Sequence, residues 1–318
     1  MEIIAALWLN PPLLLLVVLI SRVIPLSDAY HPLTFFRYFA QRLAAKVNPD
    51  PNRSASQLLI SGTLALLVAW LPFAALLLSI QQFSELPWLI DALVLYGCLD
   101  WQTQANRARN IQRHLERGQL TLAREQMAKL LLRRTDNLTA MGLSKAGIES
   151  LMLRSASQVV GTLLWFMLAG GIAALSYRLL SELHQQWNSK LPEFRYFGRP
   201  VALLLALFSA PALWLSCISL ALGYGIRRSV RLCRLTPSHI AALPYYLLCC
   251  SSAALRRNLA GPLYYRQQKR QRSRINLGQE PDAADLGRAL KLTKHCHNTV
   301  LLIAAVITLL QLVWLLGR

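Results

Sequence analysis

Long apolar runs alternate with polar, basic intervals along the whole chain. A helix needs about 20 mostly apolar residues to cross the hydrocarbon core of a bilayer. The six candidate runs are 3–20, 58–80, 86–99, 159–180, 201–224 and 300–316. They predict an all-α, polytopic integral membrane protein with about six transmembrane helices, built as a single domain over 1–318. The run 241–255 is short, and the pattern leaves open whether it spans the membrane or is re-entrant.

The longest polar interval, 106–157, lies between two groups of these runs. Leucine, isoleucine and methionine recur there at helical spacing, with arginine and lysine between them. Gly118 interrupts the pattern, which therefore predicts one helix ending near Arg117, a turn, and a second helix to about Arg134. We expect a cytoplasmic amphipathic helical hairpin. Its simplest interpretation is a basic surface that lies against the bilayer.

Basic residues far outnumber acidic ones, and the formal net charge is +19 although 54% of the residues are hydrophobic. They fall in blocks beside the apolar runs, including 256–297 before the last run, which fits contact with anionic membrane lipid. No RNA-binding aromatic motif, zinc-finger spacing or glycine-rich phosphate loop accompanies them, so we predict no nucleic-acid partner. With the basic blocks inside, the chain should be a multi-pass protein of the bacterial inner (plasma) membrane. The same rule leaves the side of 181–199 open.

Few side chains indicate chemistry by themselves. The His-Cys-His tripeptide at 295–297 comes nearest to a metal cluster, but adjacent helical residues point in different directions, so we predict no metal ligands. Glu149 could hold a metal or accept a proton, and it could equally pair with Lys145 one helical turn earlier. The residues alone leave both interpretations open.

A series of short motifs follows in a fixed order. They are His31-Pro32, Arg117-Gly118-Gln119-Leu120, Arg133-Arg134-Thr135, Ile148-Glu149-Ser150, Gly170-Gly171, Tyr177-Arg178, Phe197-Gly198, Pro211-Ala212 and Gly261-Pro262-Leu263-Tyr264-Tyr265. In type, order and spacing they resemble the membrane-bound adenosylcobinamide-phosphate synthases of cobalamin biosynthesis, the CobD/CbiB family. Each motif is weak alone, but together they cover most of the chain.

The resemblance implies an amide-forming ligase. Such an enzyme joins a carboxylate of the corrinoid cobyric acid to the amine of aminopropanol phosphate, with ATP activating the carboxylate and Mg²⁺ balancing the phosphate charge. The residues implied as catalytic are Glu149, Arg133, Thr135 and Ser150. Those implied as substrate-binding are Arg178, Tyr177, Phe197, Gly198, Tyr264 and Tyr265. Juxtamembrane arginines also meet lipid phosphate, and aromatic residues also form interfacial belts without any ligand.

From the matched motifs we further predict that Arg133, Glu149 and Arg178 converge on one site. Several acids of the family pattern are missing, however. Arg134, Ser157 and His184 stand where the pattern has aspartate, and Leu205-Ala206 replaces an Asp-Asp pair. Because Mg²⁺ prefers carboxylate oxygens, the departures predict reduced or lost activity. The alternative is a non-enzymatic accessory or signalling protein of the inner membrane, similar to the AmpE proteins that resemble the same family.

Overall fold

The computed structural model describes residues 2–26, 31–50, 53–131, 135–235, 242–265 and 268–317, and for 2–7, 264, 265 and 268–270 it describes the backbone alone. Most of this part of the chain is helical. The helices are α1 (Glu2–Val23), α2 (Pro32–Val47), α3 (Ala55–Phe83), α4 (Pro87–Cys98), α5 (Trp101–Glu116), α6 (Leu120–Ala128), α7 (Ala140–Arg154), α8 (Gly161–Gln186), α9 (Arg199–Tyr224), α10 (Ile226–Arg234), α11 (Leu243–Leu255) and α12 (Ala284–Leu316). A π-helical turn, Ser155–Val160, joins α7 to α8.

Four helical stretches in the described residues are long and apolar enough to cross a membrane. They are α3, the continuous stretch Ala140–Gln186, α9 and α12. The helical membrane-protein class is therefore confirmed, but the prediction of about six spans is not. Helix α4 has only 12 residues, and at 1.5 Å per residue it extends about 18 Å, well short of a hydrocarbon core of about 30 Å. The apolar part of α1, Trp8–Val23, and helix α11 are also shorter than the four.

The polar interval forms α5, α6 and α7. The buried face of α5 follows helical spacing through Ala105, Ala108, Ile111 and Leu115. The turn after α5 lies at Gly118, where the sequence places it. Helix α7 begins after Thr139, whose hydroxyl accepts the N–H of Gly142 at 3.2 Å. The cytoplasmic location of this interval stays a prediction.

Helix α6 ends at Ala128, several residues before the predicted end near Arg134. Beyond this end, arginine side chains bind the backbone carbonyls. Arg154 Nη2 donates to the carbonyl of Leu130 at 2.6 Å. Arg124 donates through Nε and Nη2 to the carbonyl of Leu138 at 3.1 and 3.0 Å. Carbonyls that lack an intrahelical partner are thereby satisfied without extending the helix.

The described chain forms two compact units. The first unit comprises 1–100, 161–209 and 300–318, and the second comprises 101–160 and 210–299. In the first unit the buried Trp187 indole donates to the carbonyl of Ala40 at 3.0 Å. The core around it includes Leu33, Phe36, Ala44, Ala65, Leu66, Ala69, Tyr177, Leu179, Leu183, Phe197 and Val201. The predicted single domain over 1–318 stays a prediction.

Helix α8 is broken in its middle. Ala169 (φ −148°, ψ 20°) and Gly170 (φ 74°, ψ −162°) leave the helical conformation, and the second of these is a conformation that only glycine adopts readily. Asp91 Oδ1 accepts the N–H of Gly171 at 3.0 Å and the side-chain amide of Gln81 at 2.5 Å. A carboxylate therefore caps the second half of α8, in the way that N-cap side chains satisfy free N–H groups.

Replacing Gly171 by Ala should destabilise the first unit. The added Cβ would overlap Asp91 Oδ1 and would lie 3.1 Å from the Asp91 Cα. Overpacking of this kind costs about 1–3 kcal/mol. Unfolding of the purified protein in detergent measures the effect. Gly97→Ala is the matched control because its added Cβ would make an ordinary 3.6 Å contact with Pro32 Cγ. Equal stabilities of the two variants would contradict this account.

Candidate functional site

A short, strongly basic segment stands between α11 and α12 in the second unit. Strand β1 (Leu259–Ala260) pairs antiparallel with β4 (Arg274–Ile275), and β2 (Leu263–Tyr265) pairs with β3 (Gln268–Arg270). We call 256–280 the basic arm, since Lys and Arg are frequent in it and Glu280 is its single acid. The arm lies within the segment that the sequence marks as basic and polar.

Glu149 binds the basic arm from helix α7. Its side chain is buried, with 5% exposed. Oε1 accepts the backbone N–H of Ala260 at 2.8 Å, and Oε2 accepts Arg272 Nη2 at 2.7 Å. Ala260 has a φ of 59°, so its N–H is presented from a strained turn that this carboxylate stabilises. Glu149 therefore fixes the base of the arm against α7.

Positive charge gathers beside this contact. A Cβ added to Gly261 would lie 3.7 Å from the Lys145 ammonium, which places Lys145 at the same turn. Arg272 Nε donates to the Gly261 carbonyl at 3.2 Å, and Arg274 pairs with Glu280. Burial alone would raise the pKa of Glu280, but hydrogen bonds from Asn258 and Arg274 and the charges of Arg274 and Lys145 outweigh it and lower that pKa.

Lys145, Arg272 and Arg274 carry three positive charges, and Glu149 and Glu280 carry two negative charges. We call these five side chains the arm cluster. Its surplus of one positive charge is the arrangement that attracts a phosphate or a carboxylate. The sequence suggests an i, i+4 pairing of Lys145 with Glu149. In the structure the two side chains attract each other through their charges, while both Glu149 oxygens accept hydrogen bonds from the arm.

Asn258 holds the two ends of the basic arm together. Its Oδ1 accepts the N–H groups of Leu277 and Gly278 at 2.5 and 3.0 Å, and its Nδ2 donates to Glu280 at 2.5 Å. Its own N–H donates to the carbonyl of Gln279 at 2.8 Å. Sequence reasoning missed Asn258 and Arg272. The signal that could have found them was a polar, basic run bounded by Gly261 and Gly278, because glycines often mark turns.

The first unit contains a separate buried ion network, which we call the Arg178 network. Arg178 is fully buried, and its Nη2 lies 2.7 Å from Asp100 and 2.8 Å from Glu182. Arg37 Nε donates to Glu182 at 2.6 Å. The two positive and two negative charges balance. The Arg178 Nε and Nη1 atoms are buried without a hydrogen-bond partner in the described residues.

His31 joins helix α2 to the neighbourhood of Asp100. Its Nδ1 accepts the N–H of Leu33 at 3.3 Å and so caps α2, and its Nε2 lies 3.4 Å from the carbonyl of Leu99. Burial lowers the pKa of His31, although the Leu99 carbonyl opposes this. The lowered pKa fits the structure, because only the neutral imidazole can accept at one nitrogen while it donates at the other. His31-Pro32 therefore acts here as a helix cap.

Comparison with known proteins identifies the family of the chain. The family model described as CobD/Cbib protein matches residues 14–293. The chain belongs to the CobD/CbiB family. A protein of Chromobacterium violaceum named "Cobalamin biosynthesis protein CobD" is 24% identical over 277 residues, 86% of this chain and 89% of the relative. A protein of the same name from Stutzerimonas stutzeri is 27% identical over 264 residues, 82% of this chain and 86% of the relative. No solved structure matches the chain.

These identities make it a divergent member of the CobD/CbiB family. A Listeria monocytogenes protein of the same name is 34% identical, but over only 114 residues, 35% of this chain and 36% of the relative. The sequence motifs and the family model thus agree on the family.

Three of the residues that the CobD/CbiB resemblance implies as substrate-binding are buried within the first unit. Tyr177 is buried in the first unit, and its hydroxyl occupies the space where a Cβ on Gly161 would be. Phe197 is also buried, with its ring centroid 5.1 Å from that of Trp187. Gly198 lies so close to the Trp187 carbonyl that a side chain would overlap it. Their binding roles stay predictions.

The remaining implied residues are described only in part. Thr135 is buried, and Ser150 on α7 is half-buried. Arg133 lies outside the described residues, as do the side chains of Tyr264 and Tyr265. The predicted convergence of Arg133, Glu149 and Arg178 therefore stays a prediction. Glu149 belongs to the arm cluster of the second unit, whereas Arg178 belongs to the ion network of the first.

The magnesium ion that the family resemblance implies needs oxygen ligands. Among the side chains that the structure describes, no group of three or more His, Cys, Asp and Glu is arranged to hold a metal ion. Both Glu149 oxygens accept hydrogen bonds, Asp91 caps α8, and Asp100 contacts Arg178. This donor set does not fit a magnesium site formed by the described residues alone.

Proposed function

We propose that the chain acts in cobalamin biosynthesis and performs the amide-forming step of the adenosylcobinamide-phosphate synthase type. It would join the amine of aminopropanol phosphate to a carboxylate of cobyric acid, with ATP as the activating substrate. The observation that carries the proposal is the family match over residues 14–293. The two long relatives are both named for cobalamin biosynthesis. The comparisons do not favour the AmpE-like alternative.

The arm cluster supplies what a phosphate-bearing substrate needs. Lys145, Arg272 and Arg274 can place cations on phosphate oxygens, and an arginine can bind two such oxygens at once. When the amine forms the new C–N bond, the activating group leaves the carbonyl carbon with its electron pair, and the nitrogen releases a proton to solvent. Nearby cations stabilise the negative charge of the leaving group. We assign Glu149 a positioning role, because it orients Arg272 and the turn at Ala260. We derive no step through Mg²⁺.

The proposal places the protein in the bacterial inner membrane as a multi-pass protein, with the polar interval and the basic arm facing the cytoplasm, where ATP is available. The basic blocks beside the apolar helices support this orientation, since positive residues accumulate on the cytoplasmic side. A reporter fused at Gly118 tests it. Activity of a fused reporter that works only outside the cytoplasm would overturn this orientation.

Product formation tests the proposed reaction. Membranes containing the chain, supplied with cobyric acid, aminopropanol phosphate, ATP and Mg²⁺, should form the amide, detected by mass spectrometry. Glu149→Gln should reduce the rate at least tenfold, because a glutamine presents one oxygen and one N–H to two donors and leaves Arg272 without its charge partner. Glu116→Gln is the matched control, since Glu116 is exposed at the end of α5.

Two outcomes are distinguished by this experiment. No amide at a sensitivity about 10⁴-fold below the rate of a CobD/CbiB protein that retains the acids of the family pattern, with this chain present in the membrane, would overturn the proposed function. This factor exceeds the loss of about two to three orders of magnitude that we expect from the missing acids. Product formed equally fast by wild type and Glu149→Gln would leave the function standing and would overturn the role of Glu149.

A further inference from the structure

The first unit contains an apolar cavity of about 370 Å³. Helices α3, α8 and α9 contribute its wall, which includes Leu66, Trp70, Trp165, Tyr177, Leu183 and Phe208. The wall is almost wholly apolar, and its size falls within the range of about 300–1,000 Å³ that is usual for binding pockets. None of the charged residues discussed above lines it.

The cavity runs from the surface of the unit into its core. Leu67 and Phe208, at 40% and 38% exposed, lie at its mouth. Tyr177 and Leu183, at 4% and 0% exposed, lie at its floor. Because α3 and α9 are both candidate membrane spans, exposed apolar side chains on them face the hydrocarbon of the bilayer. The mouth therefore opens to lipid.

Specific contacts fix the shape of the cavity. Trp165 Nε1 donates to the carbonyl of Phe208 at 2.9 Å, and the two rings meet edge to face with centroids 5.4 Å apart. Gly161 leaves the space that the Tyr177 side chain occupies, because a Cβ at Gly161 would overlap the Tyr177 hydroxyl. The aromatic wall is thus formed in advance, which lowers the entropic cost of binding.

The chemistry of the wall selects the occupant. A corrinoid carries amides and a nucleotide carries phosphates, and burying either here would leave polar groups unpaired at a cost of about 2–7 kcal/mol for each amide or hydroxyl. The acyl chains of the surrounding bilayer have no such groups and are present at very high concentration. We propose that the cavity binds one acyl chain of a bilayer phospholipid. This proposal does not depend on the proposed enzymatic function.

Photo-crosslinking in vesicles tests the proposal. The full chain is reconstituted into phosphatidylethanolamine and phosphatidylglycerol, with a trace of phosphatidylglycerol that carries a diazirine near the end of one acyl chain. After illumination, labelled peptides should be concentrated at Trp165, Ala173 and Phe208. Ala173→Phe fills the cavity and should lower this labelling at least tenfold. Ala206→Phe places the same side chain at an exposed position of α9 outside the wall and should leave it unchanged.

Three results would overturn the proposal. The first is labelling spread evenly along the exposed faces of α3, α9 and α12, which is what bulk lipid alone would give. The second is equal labelling of the two phenylalanine variants. The third is displacement of the label by added cobyric acid, which would make the cavity part of a substrate site. If Ala173→Phe fails to fold, Leu204→Trp at the mouth replaces it, with the same expected loss and the same control.

Discussion

Replacing Arg178 by methionine is expected to lower the free energy of unfolding by about 3–5 kcal/mol, the usual cost of breaking a buried ion pair by removing one partner. Arg178 is fully buried and contacts Asp100 and Glu182 at 2.7 and 2.8 Å. Without it, Glu182 keeps Arg37 as its cation, but Asp100 lies 3.9 Å from Arg37. The Arg178 network would then carry a net negative charge inside the first unit. Titration of the detergent-solubilised protein with a denaturing detergent measures the change.

Two further variants give this stability prediction its controls. Arg178→Lys keeps the charge but shortens the side chain that places Nη2 against both carboxylates, so its stability should lie between wild type and Arg178→Met. Arg42→Met removes an exposed arginine that donates to the Tyr38 hydroxyl at 2.9 Å on α2, and it should change stability by less than about 0.5 kcal/mol. If Arg178→Met and Arg42→Met unfold at the same denaturant concentration, the network contributes nothing to stability.

On the proposed function, we expect amide formation by this chain to be slower by about two to three orders of magnitude than by a CobD/CbiB protein that retains the acids of the family pattern, because transition-state contacts are missing. The reason is the set of replaced acids. Ser157 donates its hydroxyl to the carbonyl of Leu153 at 2.8 Å, and Leu205 is buried in the core of the first unit. Neither supplies an oxygen ligand for Mg²⁺.

Side-by-side initial rates in membranes with equal amounts of each protein measure this deficit. Raising the Mg²⁺ concentration should recover part of the rate of this chain and little of the rate of the protein that retains the acids, because a site with fewer carboxylates binds the ion more weakly. Equal rates at low Mg²⁺ would contradict the prediction. They would show that other acids of this chain provide the ligands in place of those that are missing.

The family and the membrane class could be predicted from the sequence because both depend on local information. An apolar run of sufficient length identifies a membrane helix whatever its neighbours are, since the bilayer acts as its solvent. The number of spans could not be predicted in this way. It depends on whether a short apolar helix crosses the bilayer, and α4, with 12 residues that fill most of the run 86–99, is too short for its composition alone to decide this.

The candidate site was predictable only in its residue types. The sequence singled out Glu149 and Arg178, but it left open whether each had a ligand or a protein partner. Their partners come from far along the chain: Arg272 is 123 residues from Glu149, and Asp100 is 78 residues from Arg178. No local pattern encodes such a pairing, because the attraction between two charges depends on their distance and burial, and both arise only on folding.

The glycine pair of α8 shows the same division. The sequence by itself shows that Gly170-Gly171 lies within the apolar run 159–180 and that Asp91 is an acid within the apolar run 86–99. Only the tertiary structure joined the two, with Asp91 accepting the Gly171 N–H across 80 residues of sequence. A helix break exposes N–H groups that must find an acceptor, and which acceptor they find is decided by the packing of α4 against α8. Local composition therefore determined whether each segment prefers lipid or water, and tertiary packing decided which polar groups form hydrogen bonds with one another.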